Sequence, residues 1–277
     1  MNQLQQFNSD GLYTRYAVDE HPDDNGSFMH VHEQCEIYYF VSGDAEYLVE
    51  GARYPLKPGD ILIMRPAESH RNKMLGGGRY ERYVINFSPW VVESIDPQRR
   101  LLKAFFDRPL GRENFYSSAE FGKLQPGPVF YDMCRNREEE YGRRVKVLTN
   151  LFKLLDMINS AYLKRGVTEE LPPQSLPERM VAYVNAHLYE ELAVPVLAEC
   201  FFLSPSQFSR VFKQATGAAP WEYITIKRLT AAREKIRSGF SAQDAGESCG
   251  FRDYSAFYRS YVKYFGCPPK EDKTPMP

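Results

Sequence analysis

The sequence lacks any apolar run near the roughly 20 residues that a helix needs to cross a bilayer. Its first residues, Met1 to Asp10, are polar and carry no basic end followed by a greasy stretch. No membrane partner and a cytoplasmic location are therefore expected. Cysteine is sparse: Cys35, Cys134, Cys200, Cys249 and Cys267 are scattered, odd in number and without a CxxC pair. That argues against a disulfide framework and against a zinc finger, and leaves small buried or half-buried thiols. A surplus of one charge is missing too, and a net charge of −1 neither requires nor forbids nucleic acid as a partner.

What is present is length and a change of character along the chain. With 277 residues there is room for two separate cores. From Ser175 onward 13 Lys plus Arg stand against 11 Asp plus Glu, with Lys227, Arg228, Arg233, Lys235 and Arg237 crowded together. From about Tyr13 to Phe87, short β-branched and aromatic runs alternate with turn signals, the pattern of a β-sandwich or barrel. The runs are Glu36 to Val41, Glu46 to Val49, Asp60 to Met64 and Tyr83 to Phe87. Ser42-Gly43-Asp44 and Lys57-Pro58-Gly59-Asp60 are the clearest turns between them. Asn86-Phe87-Ser88 has the form of a glycosylation acceptor, which matters only in a secreted protein.

Beyond Pro97 the period changes. Val145, Leu148, Leu151, Phe152, Leu155, Ile158 and Tyr162 recur at three- and four-residue steps and predict one helix within residues 138–165. Such a stripe serves either to pack the helix on its own β domain or to pair it with a second subunit. Leu171-Pro172-Pro173-Gln174-Ser175-Leu176-Pro177 then breaks every periodicity and reads as a linker.

Glu191 to Gly217 has the form of a helix-turn-helix. Ser204-Pro205-Ser206-Gln207 combines an N-cap serine, proline at the first helical position and glutamine three residues on, the capping-box arrangement. Phe208, Val211 and Phe212 form the inner stripe of the helix it opens. Ser206, Gln207, Ser209, Arg210 and Lys213 are left on exposed or half-exposed faces, with side chains suited to base edges and phosphates. The same grammar returns 49 residues later, where Asp253, Phe257, Arg259 and Tyr261 stand for Ser204, Phe208, Arg210 and Phe212. This second helix presents Tyr254, Ser255, Tyr258 and Arg259. Between the two lies a helix from Pro220 to Arg237, able to hold both readers about one DNA turn, roughly 34 Å, apart.

Over roughly Glu178 to Pro269 the segment resembles the DNA-binding domain of the AraC/XylS family of transcriptional regulators. The resemblance is carried by Ala198, Leu203-Ser204, Phe208-Ser209-Arg210-Val211-Phe212-Lys213, Gly217, Pro220, Tyr223-Ile224, Arg228-Leu229, Ala232, Gly250-Phe251, Ser255, Phe257, Arg259, Gly266 and Pro268. It implies that Ser206, Gln207, Ser209 and Arg210, and in the second motif Tyr254, Ser255, Tyr258 and Arg259, face double-stranded DNA. Gly246 stands where the family usually has alanine, Tyr261 where it has phenylalanine, and the usual Tyr-Arg after Pro269 is absent.

In the N-terminal half His30, His32 and Glu36 share parity, so on one strand all three point to one face while Val31, Cys35 and Ile37 point to the other. His70, at the end of a later strand, is placed to close on the same cavity. Three imidazoles and one carboxylate suit Zn, Fe, Ni or Mn with open positions for water or ligand. HxHxxxE with Gly43 downstream and a later His70 resembles the cupin fold. In cupin enzymes such residues hold a catalytic metal; in AraC-type regulators a related domain senses a small organic molecule, often a sugar. The residues are consistent with a metal site, with a metal-free pocket in which His30, His32, Glu36, Tyr38 and His70 hydrogen-bond an effector, or with satisfied core polar groups. Tyr38, Phe40, Tyr47 and Tyr83 serve a sugar face or the core.

The expectation is an α+β multidomain chain. A cupin-like β-sandwich or barrel (1–97) is followed by a helical segment (98–170) carrying a dimerisation helix, a linker (171–177) and an all-α tandem helix-turn-helix domain (178–277). It describes a homodimeric transcription factor without catalytic residues, controlled by a small-molecule effector. The rival is a metal-dependent cupin enzyme whose C-terminal helices serve assembly.

Overall fold

The computed structural model describes residues 3–9, 11–22, 29–134, 140–166 and 175–272. In the N-terminal half two antiparallel sheets face each other. The larger runs β1 (Gln3–Ser9), β2 (Leu12–Asp19), β8 (Tyr80–Phe87), β3 (Cys35–Ser42), β6 (Ile61–Met64), β9 (Phe115–Tyr116) across its width; the smaller runs β5 (Ala52–Pro55), β4 (Ala45–Val49), β7 (His70–Met74). The four apolar runs of the sequence fall on β3, β4, β6 and β8. β1 (QLQQFNS) and β7 (HRNKM) are too polar to announce themselves and exist because partner strands pair with them.

Side-chain alternation sorts β3 between two cores. Tyr38 and Phe40 face the interior between the sheets with Tyr47, Val49, Leu62, Met64 and Tyr80. Cys35 and Ile37 face the opposite side with Ile61, Ile63, Tyr83, Ile85 and Phe87. That second face is covered by α1 (Pro89–Glu93), α2 (Lys103–Phe106), α3 (Pro126–Cys134) and α4 (Glu140–Lys164). α4 is the helix expected within 138–165, and its stripe of Val147, Leu151, Leu154, Leu155, Ile158 and Ala161 is buried in the core of its own domain. The helices and β9 share one core with the large sheet, so the boundary drawn at residue 97 separates no two units.

Residues 171–174 of the expected linker lie outside the described residues. Ser175 to Pro177 belong instead to a helix start: Ser175 caps α5 (Leu176–Ala186), its hydroxyl accepting from the Glu178 amide at 3.3 Å, and Pro177 sits in the first turn.

The C-terminal half continues with α6 (Val194–Cys200), α7 (Pro205–Thr216), α8 (Pro220–Arg237), α9 (Ala242–Ser248) and α10 (Tyr254–Phe265). It has two cores, one per helix-turn-helix. Met180, Val184, Leu197, Phe208, Phe212 and Tyr223 fill the first; Leu229, Ala232, Ile236, Ala245, Phe257 and Tyr261 fill the second. α8 belongs to both, its N-terminal half to one and its C-terminal half to the other. Arg228 on α8 ties the motifs further, donating to the carbonyls of Leu188 (2.7 Å), Glu190 (2.6 Å) and Gly250 (2.9 Å).

Candidate nucleic-acid interface and effector site

α7 begins where the sequence places it. Ser204 is extended, Pro205 opens the helix, the Gln207 amide donates to Ser204 Oγ at 3.3 Å, and Gln207 Oε1 accepts from the Ser204 amide at 3.0 Å. Phe208 and Phe212 are buried, Ser206, Gln207, Arg210 and Lys213 are exposed, and Ser209 and Val211 are half-buried. Gln207 is more constrained than the sequence suggests. Bidentate reading of adenine needs both its oxygen and its NH2 group, and the oxygen is engaged in the cap.

α10 is capped by Asp253, whose carboxylate accepts from the Ser255 amide at 3.0 Å and the Ala256 amide at 3.1 Å. Tyr254, Ser255, Tyr258 and Arg259 are exposed over buried Phe257 and Tyr261. Two of the three departures from the family pattern have physical reasons. A Cβ on Gly246 would lie 3.0 Å from Cγ of Phe257, so the ring packs directly on the backbone of α9. The Tyr261 hydroxyl donates to Asp272 Oδ2 at 2.9 Å. Asp272 also takes Arg233 (2.6 Å) and Arg237 (2.8 Å). Burial works against its charge, yet these hydrogen bonds hold its carboxyl down at about 2.

In the β domain the structure brings His30, His32, Glu36 and His70 together, with one candidate ligand atom from each lying within 4.8 Å of the others. They are not on one continuous strand. His30 forms an isolated two-way bridge with His70, each amide 3.1 Å from the other's carbonyl; residues 31–34 are irregular; Glu36 belongs to β3. His70 begins β7 rather than ending a strand.

Backbone carbonyls fix two of the imidazoles. His70 Nδ1 lies 2.7 Å from the carbonyl of Glu68, and His32 Nδ1 lies 2.9 Å from that of Gln34. A carbonyl only accepts, so both Nδ1 atoms carry hydrogen and the neutral rings present Nε2 lone pairs. Those lone pairs face a carboxylate: Glu36 Oε2 is 3.0 Å from His32 Nε2 and 3.5 Å from His70 Nε2. His70 Nε2 is buried without a hydrogen-bond partner. For His32 the Asn86 amide nitrogen, 3.2 Å from Nε2 and 2.9 Å from Glu36 Oε2, stands between the two acceptors; His70 Nε2 has no such donor, and an acceptor facing a carboxylate calls for positive charge between them, as a proton or as a cation. Burial disfavours the ionised Glu36, and His70 with His32 more than offsets it, keeping the carboxyl well below the usual carboxylate range. For His70, burial opposes the charge and Glu36 beside it raises the imidazole above its ordinary value.

Around the set, Tyr47 donates to Glu36 Oε1 at 2.9 Å and Asn86 Nδ2 donates to Glu36 Oε2 at 2.9 Å. Asn86, which in the sequence stands only in the Asn86-Phe87-Ser88 motif, is brought to the site by register, pairing with Glu36 across β3 and β8. Tyr38 faces the same interior with its hydroxyl bonded to Tyr80, and Phe40 packs beside Tyr80. Tyr83 does not reach this interior. It lies on the other face of the sheet against Tyr16, Tyr39 and Phe130.

The donor set fits a divalent ion: two imidazoles with fixed tautomers, a third whose backbone is locked to His70, and a carboxylate oriented by a tyrosine and an asparagine. Among the described residues no helix is long and apolar enough to cross a membrane.

Comparison with known proteins assigns both halves. Residues 13–120 match the family model of the AraC-like ligand binding domain, and residues 197–274 match that of a helix-turn-helix domain. The chain is 26% identical over 242 residues to the uncharacterized HTH-type transcriptional regulator YobQ of Bacillus subtilis (strain 168), covering 87% of this chain and 86% of that protein. It is 29% identical over 250 residues to the HTH-type transcriptional activator RhaS of Salmonella arizonae, with the same coverage of 87% and 86%. Among solved structures, the DNA-binding domain of AdpA in complex with a target DNA is 27% identical, covering 35% of this chain and 87% of that one, with a TM-score of 0.33. Unsaturated fatty acid bound ToxT from Vibrio cholerae is 11% identical over 96% of this chain and 95% of that one, with a TM-score of 0.42. YobQ and RhaS are named as transcriptional regulators of the helix-turn-helix type.

Proposed function

Because this chain belongs to the AraC-type DNA-binding transcriptional regulators, we propose that its operator binding is controlled by a divalent metal ion held by His30, His32, Glu36 and His70. The observation that carries the proposal is the pair of Nε2 lone pairs, fixed by the carbonyls of Gln34 and Glu68, that converge on Glu36. Imidazole and carboxylate ligands suit Zn, Fe, Ni or Mn. When bound, the ion supplies the positive charge that this buried set calls for. A sugar taken up by the same residues competes with hydrogen bonds already made, Tyr47 to Glu36 and Tyr38 to Tyr80.

On the DNA side, Arg210 and Arg259 are the best placed to read bases. Ser206, Ser209, Lys213, Tyr254, Ser255 and Tyr258 complete the contact faces, with Gln207 contributing its NH2 group. The reading includes a cytoplasmic homodimer, since two copies engage two sites with an avidity that neither has alone. With the main stripe of α4 buried in its own core, the surface that favours a second copy is the exposed Trp90 and Ile95, which line one groove with Arg144 and Leu148 of α4.

Calorimetric titration of metal-stripped protein with Zn2+, Ni2+, Mn2+ and Fe2+, in parallel with a sugar panel, tests the proposal. One ion per chain is expected. At a hundredfold excess over Kd the ion should add about 2.7 kcal/mol, or roughly 5–10 °C in Tm, and His70→Ala should abolish that shift. No heat of binding, with a Tm indifferent to chelator, contradicts it.

A further inference from the structure

The segment that supplies two of the proposed ligands is also part of the contact between the two halves of the molecule. His30 and His32 turn into the ligand set, while the alternate residues turn the other way. Met29 and Val31 are buried in the core of the first helix-turn-helix with Val184, Phe212 and Tyr223. The Val31 carbonyl accepts from Tyr264 of α10 at 3.2 Å. Glu33 is bound by Arg237 and lies 3.5 Å from Arg233, both on the last turns of α8.

A second connection starts from His70. In the turn before it, the Ala67 amide donates to the His32 carbonyl at 2.9 Å, and the Ala67 carbonyl accepts from Lys227 Nζ at 2.6 Å. The Ser69 amide donates to Glu50 Oε1 at 2.6 Å, and that carboxylate also receives Lys227 Nζ at 2.7 Å, Asn185 at 2.8 Å and the Tyr223 hydroxyl. Glu50 and Ala67 both have left-handed backbones, at φ 47 and 61. Non-glycine residues hold that conformation only where their surroundings impose it.

α8 is thus gripped at Tyr223 and Lys227 by the connection that leads to His70, and at Arg233 and Arg237 by the one that leads to His30 and His32. Because α8 contributes to both helix-turn-helix cores, movement of one grip relative to the other reaches both recognition helices.

We infer that segments 29–33 and 65–70 are two struts through which occupancy of the His30–His32–Glu36–His70 site sets the placement of α8, and with it the spacing of α7 and α10 on DNA. The inference rests on the metal reading of that site. Ligation at about 2.0–2.2 Å leaves roughly 3.5 Å between ligand atoms, so His32 and Glu36, now 3.0 Å apart, part while the wider contacts of a set spread within 4.8 Å close, and the segments that carry the ligands shift. Each strut is one residue or one hydrogen bond away from a ligand, and passes that displacement on.

The test measures operator affinity of the full chain with and without Zn2+, and Zn2+ affinity with and without operator, in wild type, Lys227→Met and Arg237→Ala. Both variants lie on α8, away from the ligand set, and each breaks a different strut. The expected wild-type result is a change in operator Kd of about tenfold or more on adding Zn2+, matched by the same factor in Zn2+ affinity on adding operator, since coupling is reciprocal. Each variant should keep Zn2+ affinity within about threefold while the coupling factor falls to about two or less. Zn2+ binding with no effect on operator affinity, or variants with the wild-type factor, overturns the inference and leaves the metal reading standing. Absence of Zn2+ binding in wild type overturns both.

Discussion

Lys227→Met bears most directly on how the halves are joined. The lysine is 4% exposed and Glu50 7% exposed, so the ion pair between them is out of water. Removing one partner of a buried pair costs about 3–5 kcal/mol; here Glu50 keeps the hydrogen bonds of Ser69, Asn185 and Tyr223 but loses its countercharge, which places the cost at the lower end. Glu50 belongs to the β domain and Lys227 to α8, and apart from Met29 and Val31, which join the first helix-turn-helix core, each side keeps its own core. The loss therefore falls on docking, and it lowers the ratio of docked to undocked molecules by about a hundredfold or more. Hydrogen exchange read by mass spectrometry should show faster exchange in peptides covering 29–33, 65–70 and 220–237, with the α4 region unchanged. Adding Glu50→Gln should recover at least half of the loss, since no carboxylate is then stranded. Wild-type exchange in Lys227→Met, or a double variant as damaged as the sum of the singles, would refute the reasoning.

Arg210→Ala should weaken specific operator binding by about 1–3 kcal/mol while leaving folding stability within about 0.5 kcal/mol of wild type, because the side chain is exposed on α7; unchanged operator affinity removes it from the base readers. Phe257→Ala empties the second helix-turn-helix core and should cost about 3–5 kcal/mol in chemical denaturation. Asp272→Asn tests the C-terminal ion cluster. Its folded carboxyl sits at about 2, below the ordinary 3.8, so its contribution is fully present above about pH 4 and fades as the pH falls toward 2. The variant should be less stable than wild type by about 1 kcal/mol near neutrality, with most of that gap gone near pH 2; an undiminished gap at pH 2 contradicts the assignment.

The features legible in the sequence were those encoded locally. Ser204-Pro205-Ser206-Gln207 and Asp253 specify their helix starts within four residues, and β3, β4, β6 and β8 show in their apolar runs. The ligand set was legible by parity even though residues 31–34 do not form the strand that parity assumed. Features made by pairing were not. The polar strands β1 and β7 depend on their neighbours, Asn86 joins Glu36 only through register, and Tyr83, open in sequence between a sugar face and the core, belongs to the core on the helix-covered side of its sheet. The contacts of Glu33 with Arg237 and of Glu50 with Lys227 join residues 204 and 177 positions apart, and no local pattern marks them.

The measurement that tests the central claim most directly is retention of genomic DNA fragments by the purified full chain across a salt series, in metal-loaded and metal-stripped forms, followed by sequencing. The account expects discrete fragments sharing a common site, with affinity falling steeply as salt rises and with a different yield in the two forms. Failure to enrich any fragment in either form, even at low salt, would contradict it.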